Sequence, residues 1–475
     1  MDLQYLEENL SGRMVCPGSP QYQESCRLFN DLYPTYPKVV VYAAHEPDIW
    51  HCLHFARSHD LTTVVRAGGH SMAGYSVCEG LVIDVSGLNR VTVDTESSTA
   101  VVQAGTKIYE LEAALEAEGF HVPGGGCPTV AVAGYMMGGG YGFTSRYFGL
   151  NCDNVLSARV MLADGTIVRA SAEENGDLFW ALRGGGGGNF GVLLDITYRV
   201  HGLGKLHGLR LEWSLQRTMQ RREAAAALFL IQERFLPSHA YPQLGMQLLI
   251  QTDPDGGGKK LIACLTWVGQ RSGLDEAVAP LLALPGTNVT LSLHAGYSEV
   301  NARLLSKMEA IPPGIRAYCC SHYVDQALDL PQMEALLDFY VASVPNAFAI
   351  VAMECYGGKI NTVPSDATAF YHREALFDIF AFGFFTDEPE EQQSLAHNWI
   401  AQLNDFLQPI GNGHAYQNYP SRELPNHAWA YWGPNYPQLQ RIKRKYDPDQ
   451  FFRYGQAIDG RGATERTTSP LYTGP

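Results

Sequence analysis

Apolar residues change their spacing several times along the chain. Residues 39–42 (VVVY) form a continuous apolar run of strand length. Residues 46–59 follow with Ile49, Cys52, Leu53 and Ala56 spaced near 3.6, which predicts a helix with one buried face. A second apolar run, 62–66 (TTVVR), ends at glycines, and 81–85 (LVIDV), 91–94 and 100–103 read as successive short strands. Residues 108–118 return to helical spacing, with Leu111, Ala114 and Leu115 inward and Gly119 as the stop. The first ~200 residues therefore predict an α+β unit made of small β pieces.

Around residues 203–205 the texture changes. Alternation at 209–213 and 245–251 predicts strands, and 253–260 (DPDGGGKK) predicts a hairpin loop. Helices are expected at 217–235, at 274–279 with Pro280 as the stop, and at 331–342. Strands with intervening helices predict a second layer, a sheet covered on one face. Beyond about residue 411 the aromatic, glycine-punctuated character returns. The expected division is 1–205, 206–411, and a segment 412–475 that rejoins the first unit.

Composition narrows the function. Against 34 Lys+Arg stand 49 Asp+Glu, a net charge of -15, which argues against nucleic-acid partners except at a local site. No stretch approaches the ~20 apolar residues of a membrane span. The acidic start MDLQYLEENL has no signal pattern, so a cytoplasmic location is expected, with a secreted mature form left open. Ten scattered cysteines without a C-x-x-C pair predict neither a disulfide framework nor a metal site.

Three glycine clusters carry the chemistry. In 65–76 (VRAGGHSMAGYS) glycines follow a strand, where positive φ turns backbone N–H groups toward one point, as an anion nest or a tight turn. The segment is neither G-x-G-x-x-G nor a Walker sequence, because His70 follows Gly68 and Gly69 directly. In 123–147 (PGGGCPTVAVAGYMMGGGYGFTSRY) three glycines precede Cys127, and a second bare stretch includes Gly138, Gly139 and Gly142. Such a backbone is entropically costly, so it predicts a flat ligand against it or tight packing on a neighbour. In 178–192 (LFWALRGGGGGNFGV) five glycines separate a helical run from a strand. Together the clusters predict an extended ligand such as a dinucleotide.

These three segments and 431–452 (YWGPNYPQLQRIKRKYDPDQFF) resemble the berberine-bridge-enzyme-like family of FAD-linked oxidases, within the vanillyl-alcohol-oxidase superfamily, in order and over essentially the whole chain. The resemblance implies a two-subdomain, PCMH-type FAD-binding domain plus a substrate domain whose antiparallel sheet is covered by helices. It implies FAD joined through its 8α position to His70 and through C6 to Cys127; imidazole and thiolate are both suitable nucleophiles. It places Arg66, Gly68, Gly69, Ser71, Gly126, Gly134, Gly138, Gly139, Gly142, Val192 and Asn418 about the cofactor. Val130, three past the cysteine, resembles the oxidases, where a leucine would resemble the dehydrogenases; it implies O2 as acceptor with release of H2O2. One departure is Tyr135, where the family usually has histidine.

Oxidation of an alcohol also needs a proton acceptor. In 414–419 (HAYQNY) the resemblance makes Tyr416 that base, a role requiring a pKa well below its usual ~10. In 351–361 (VAMECYGGKIN) alternation sets Met353 and Cys355 on one face and Glu354 and Tyr356 on the other. Glu354 is expected to orient the substrate or share the proton with Tyr416, a solvated strand glutamate being the alternative. Phe380 stands where the family often has Gln or Glu; with Met72 it implies an apolar wall and a substrate less polar than an oligosaccharide. The expected reaction is oxidation of an alcohol-type small molecule, a secondary metabolite or sugar-like hydroxyl. A dehydrogenase with another acceptor and an oligosaccharide oxidase are the alternatives.

Overall fold

The computed structural model describes residues 3–461 apart from 238, 254, 255, 257, 306–313 and 387–389. Val39–Tyr42 and Thr63–Arg66 pair in parallel with Leu81–Asp84 between them, and Arg13–Val15 adds an antiparallel edge. The helix Glu46–Ser58 buries Ile49, Cys52, Leu53 and Ala56 as the spacing predicts. Asp48 fixes its first turn by accepting from the backbone N–H groups of Ser11, Ala44 and His45. A five-stranded antiparallel sheet follows, in the order Val91–Asp94, Thr99–Gln103, Val192–Arg199, Val155–Met161, Ile167–Ser171. One core serves both sheets and the helix Ile108–Ala117.

A seven-stranded sheet occupies the middle of the chain. Its order is Asn288–Ala295, Leu206–Ser214, Lys259–Trp267, Leu244–Thr252, Ile350–Cys355, Phe377–Phe385, Arg316–Val324, with every pairing antiparallel. Alternation sorts its two faces. Leu248, Val351, Met353, Ile379 and Ala381 pack beneath the helices Thr218–Phe235, Leu330–Ser343 and Glu390–Leu407. Leu249, Ile350, Ala352, Phe380, Phe382 and Phe384 take the opposite face, together with Met72 and Phe143 from the first part of the chain. The fold class is the expected one, and the uncovered face of this sheet looks onto the glycine clusters.

One local expectation changes. The helix Arg271–Leu282 runs through Pro280 instead of stopping before it. Proline there forfeits one backbone hydrogen bond near the helix end, while Leu274, Ala277, Val278 and Leu281 are all buried on one face. The predicted hairpin loop at 253–260 lies partly outside the described residues, and the strands on either side of it pair as a hairpin would. The last helix, Tyr436–Tyr446, returns to the first core through Leu439 and Ile442. Its fully buried Lys443 pairs with Asp447 and donates to the carbonyls of Asn189 and Phe452, which ties the third glycine cluster down.

Candidate active site

A cavity of about 840 Å³ lies between the glycine clusters and the uncovered sheet face. Thr63–Arg66 delivers the chain to its wall at Gly68, Gly69 and His70. The His70 ring stacks on Phe29 at 4.5 Å between centroids, and its Nε2 lies 3.0 Å from Thr129 Oγ1. Cys127 Sγ lies 3.6 Å from the same hydroxyl. Two residues 57 positions apart in sequence therefore meet across one threonine. Desolvation by the cavity walls, aided by the positive charge of Lys107, pushes His70 down to about 4. Its imidazole is neutral at pH 7 and keeps a lone pair for a nucleophilic or hydrogen-bonding role.

The expected cofactor residues divide into two groups. Gly68, Gly69, Ser71, Gly126, Gly134, Val130 and Asn418 line the cavity. A side chain on Gly134 would meet nothing within 4 Å, so that wall is open for close approach to the backbone. Gly138, Gly139 and Gly142 do not line the cavity; they are packing glycines. A Cβ on Gly142 would lie 1.9 Å from the Gly124 carbonyl, one on Gly138 would strike Asn418, and one on Gly139, at φ +114°, would strike Phe370. Arg66 is turned away as well. It pairs with buried Asp84 and donates to the Ser25 carbonyl and the Tyr42 hydroxyl, so it clamps the first sheet. Val192 is fully buried core, opposite Met161, and its neighbours Gly191 and Leu193 line the cavity in its place. Gly186, Gly187 and Gly188 complete this wall, held by Asn189 and by the hydroxyl of Tyr454 on the Gly187 carbonyl.

The cavity lining also includes polar and aromatic side chains from the seven-stranded sheet and the returning tail. Tyr416 Oη accepts from the Gly140 N–H at 3.0 Å and from Asn418 Nδ2 at 3.0 Å. Those bonds favour the phenolate, but burial first and Glu354 second push Tyr416 well above its usual value. Burial and the Glu354 charge thus work against the lowered pKa expected of a tyrosine base, while the two donors work for it. Glu354 is 4% exposed, not solvated, and accepts from Tyr419 Oη at 2.7 Å. Burial, then the charge of Asp378, hold it well above the carboxylate range. Phe380, Phe382 and Phe384 form a ladder on alternate positions of one strand, with Tyr419 4.4 Å from Phe380 between centroids. Tyr135, the departure from the family's usual histidine, donates to the Tyr141 carbonyl and accepts at its own carbonyl from Asn418.

Sequence reading missed Thr129, Tyr419 and Asp378. Thr129 and Tyr419 sit inside quoted motifs and were readable as hydroxyls near the expected anchors. Asp378 lies in no motif, and its one signal is a charge amid FDIFAFGFF.

Comparisons with known proteins give the family. Residues 37–171 match the FAD binding domain model, and residues 415–459 match the model described as berberine and berberine like. The chain is 32% identical to the FAD-linked oxidoreductase YvdP of Bacillus subtilis over 94% of its own length and 98% of that protein. The chain belongs to the berberine-bridge-enzyme-like family of FAD-linked oxidoreductases. A xylooligosaccharide oxidase of Thermothelomyces thermophilus is 26% identical over 95% of this chain and 93% of that protein. Among solved structures, Physcomitrella patens BBE-like 1 superposes with a TM-score of 0.86 at 25% identity, covering 97% of this chain and 100% of that one. The cavity fits the FAD of this family: bare backbone at Gly134 and Gly186–Gly188 leaves room for a long flat molecule, and His70 and Cys127 stand on its wall.

Proposed function

We propose that this member of the family is an oxidase of an alcohol-type small molecule, with FAD attached through both His70 and Cys127 and with O2 as electron acceptor. The observation that carries the reading is the meeting of His70 Nε2 and Cys127 Sγ at the Thr129 hydroxyl, on the wall of a cavity that Tyr416, Tyr419 and Glu354 also line. When bound, FAD supplies the two-electron acceptor for the oxidation.

The chain's own residues do the rest. A neutral imidazole at His70 and a thiol at Cys127 provide two separate nucleophiles. Residues 1–205 and 412–475 form the flavin side, and residues 206–411 form the substrate side with its sheet over the cavity; the opening of that sheet at Leu206 supports the division. The Tyr416 hydroxyl, held by two N–H donors, points its own proton at the substrate oxygen and fixes its position. Glu354 and Tyr419 accept the proton the substrate loses, in place of Tyr416. The phenylalanine ladder excludes water and offers no hydrogen bonds, so a body bearing few hydroxyls fits it better than an oligosaccharide. Val130, half-buried beside Cys127 in the cavity wall, supports access of O2.

The test is anaerobic reduction by an alcohol panel followed by admission of air. Rapid return of the oxidised flavin spectrum with one H2O2 per turnover is expected. Reoxidation that takes minutes contradicts the oxidase reading and favours a dehydrogenase.

A further inference from the structure

Glu354 and Asp378 are directly opposite each other on neighbouring antiparallel strands, so their side chains share a face of the sheet. Both are buried, at 4% and 0% exposure. Each uses one oxygen: Glu354 Oε1 accepts from Tyr419, and Asp378 Oδ1 accepts from Ser321 Oγ at 2.7 Å. The other oxygens, Glu354 Oε2 and Asp378 Oδ2, are buried without a hydrogen-bond partner.

No cation faces them among the described residues. Tyr135, Tyr141, Tyr323, Tyr356, Tyr416 and Tyr419 surround the two carboxyls, and all six are held protonated by burial. Gln247 lies opposite Glu354 on its other side, and Ser321 accepts the Tyr416 N–H. Cys320 and Cys355, next along the two flanking strands, are kept as thiols by burial. Arg146 is engaged by the carbonyls of Tyr356, Phe235 and Ala240. Two buried carboxylates on paired positions resist ionising together, whereas one proton shared by the pair leaves a single negative charge and gives its unpartnered oxygens a donor.

We propose that Glu354 and Asp378 act as one proton-sharing acid that takes the substrate's hydroxyl proton through Tyr419, with Asp378 as the positioning residue that keeps the pair singly charged. The proposal rests on the alcohol-oxidising reading of the site. The step is a proton transfer alone. The substrate O–H breaks, Tyr419 gives its proton to Glu354 and regains one from the substrate, and the pair passes from one negative charge to none. Burial pushes Asp378 up to about 7 and Glu354 further, in part through the charge of Asp378. The singly charged pair is therefore formed at a pH above the ordinary carboxylate range.

The test is Asp378→Asn in the flavin-loaded enzyme. Without Asp378 to share its proton, Glu354 is still held above the carboxylate range by burial, so flavin reduction by an alcohol should slow by ~100-fold near neutral pH and recover as pH rises. A loss of the same size at every pH means a structural role and overturns the proposal. An infrared pH titration supplies a second readout that needs no turnover. The protonated-carboxyl band removed by Glu354→Gln should persist to higher pH in the wild type than in Asp378→Asn; identical titrations overturn the pairing. Should Asp378→Asn fail to fold, Ser321→Ala serves. It removes the bond that favours ionised Asp378, so the pair's first ionisation should move to higher pH, and an unmoved ionisation counts against the pair. If the infrared shifts appear while no alcohol bleaches the flavin, the pair stands and the alcohol reading falls.

Discussion

The hydroxyl of Tyr416 accepts from Gly140 and Asn418 and still keeps its proton, because it is buried beside the Glu354 carboxyl. Removing it should cost positioning of the substrate oxygen and leave the cofactor in place. Tyr416→Phe is expected to retain flavin and to slow its anaerobic reduction by ~100-fold, read in a stopped-flow instrument; an unchanged rate removes Tyr416 from the reaction. Asp378 allows a prediction about stability. The native chain holds that proton up to about 7, while an unfolded Asp releases it near ~3.9. Between those values the native state binds more protons, so this group's contribution to stability falls as pH rises. Asp378→Asn removes the dependence, so its unfolding midpoint should gain on the wild type between about 4 and about 7. A constant difference across that window contradicts the raised Asp378. At this scale the sequence revealed which groups to examine, since His70, Cys127, Glu354 and Tyr416 all reach one cavity. It did not show that burial raises Tyr416 and Glu354, because burial is a property of the fold and no spacing records it.

Glycine clusters were legible as elements, and their separate roles were not. A glycine in a sequence records a missing side chain and not what stands in its place. Around Gly134 and Gly187 that place is the cavity. At Gly142 it is the Gly124 carbonyl, and at Gly139 it is the Phe370 ring. The two kinds should separate on substitution to alanine. Gly142→Ala overpacks two loops and is expected to destabilise the fold by ~1–3 kcal/mol, seen as a lower thermal midpoint. Gly134→Ala should leave that midpoint nearly unchanged in the flavin-free protein and reduce flavin content, since its methyl group intrudes only on the cavity. Equal effects of the two on stability contradict the division. Arg66 and Val192 teach the same lesson for strands. Each flanks a glycine cluster, yet one ends a strand in the Asp84 ion pair and the other begins a strand inside the core. The long sheet was easier to read, because alternation at 351–355 placed Glu354 opposite to Met353 and Cys355 without knowledge of any partner strand.

For the molecule as a whole, the cavity exists only because distant parts of the chain close on it. His70 and Cys127 come from two glycine-rich loops, Glu354 and the phenylalanine ladder from the seven-stranded sheet, and Tyr416 from the returning tail. No helix among the described residues is long and apolar enough to cross a membrane. The pairing of loops across Thr129 depends on this closure, and it is the geometry that supports the proposed double attachment. The direct measurement is the mass of the acid-denatured protein in the wild type, in Cys127→Ala, in His70→Ala and in the double variant. The wild type and each single variant should carry one FAD beyond the amino-acid mass and absorb in the blue, and the double variant should carry none. A wild-type chain that weighs only its amino acids, or a single variant that loses all covalent flavin, contradicts attachment at both residues.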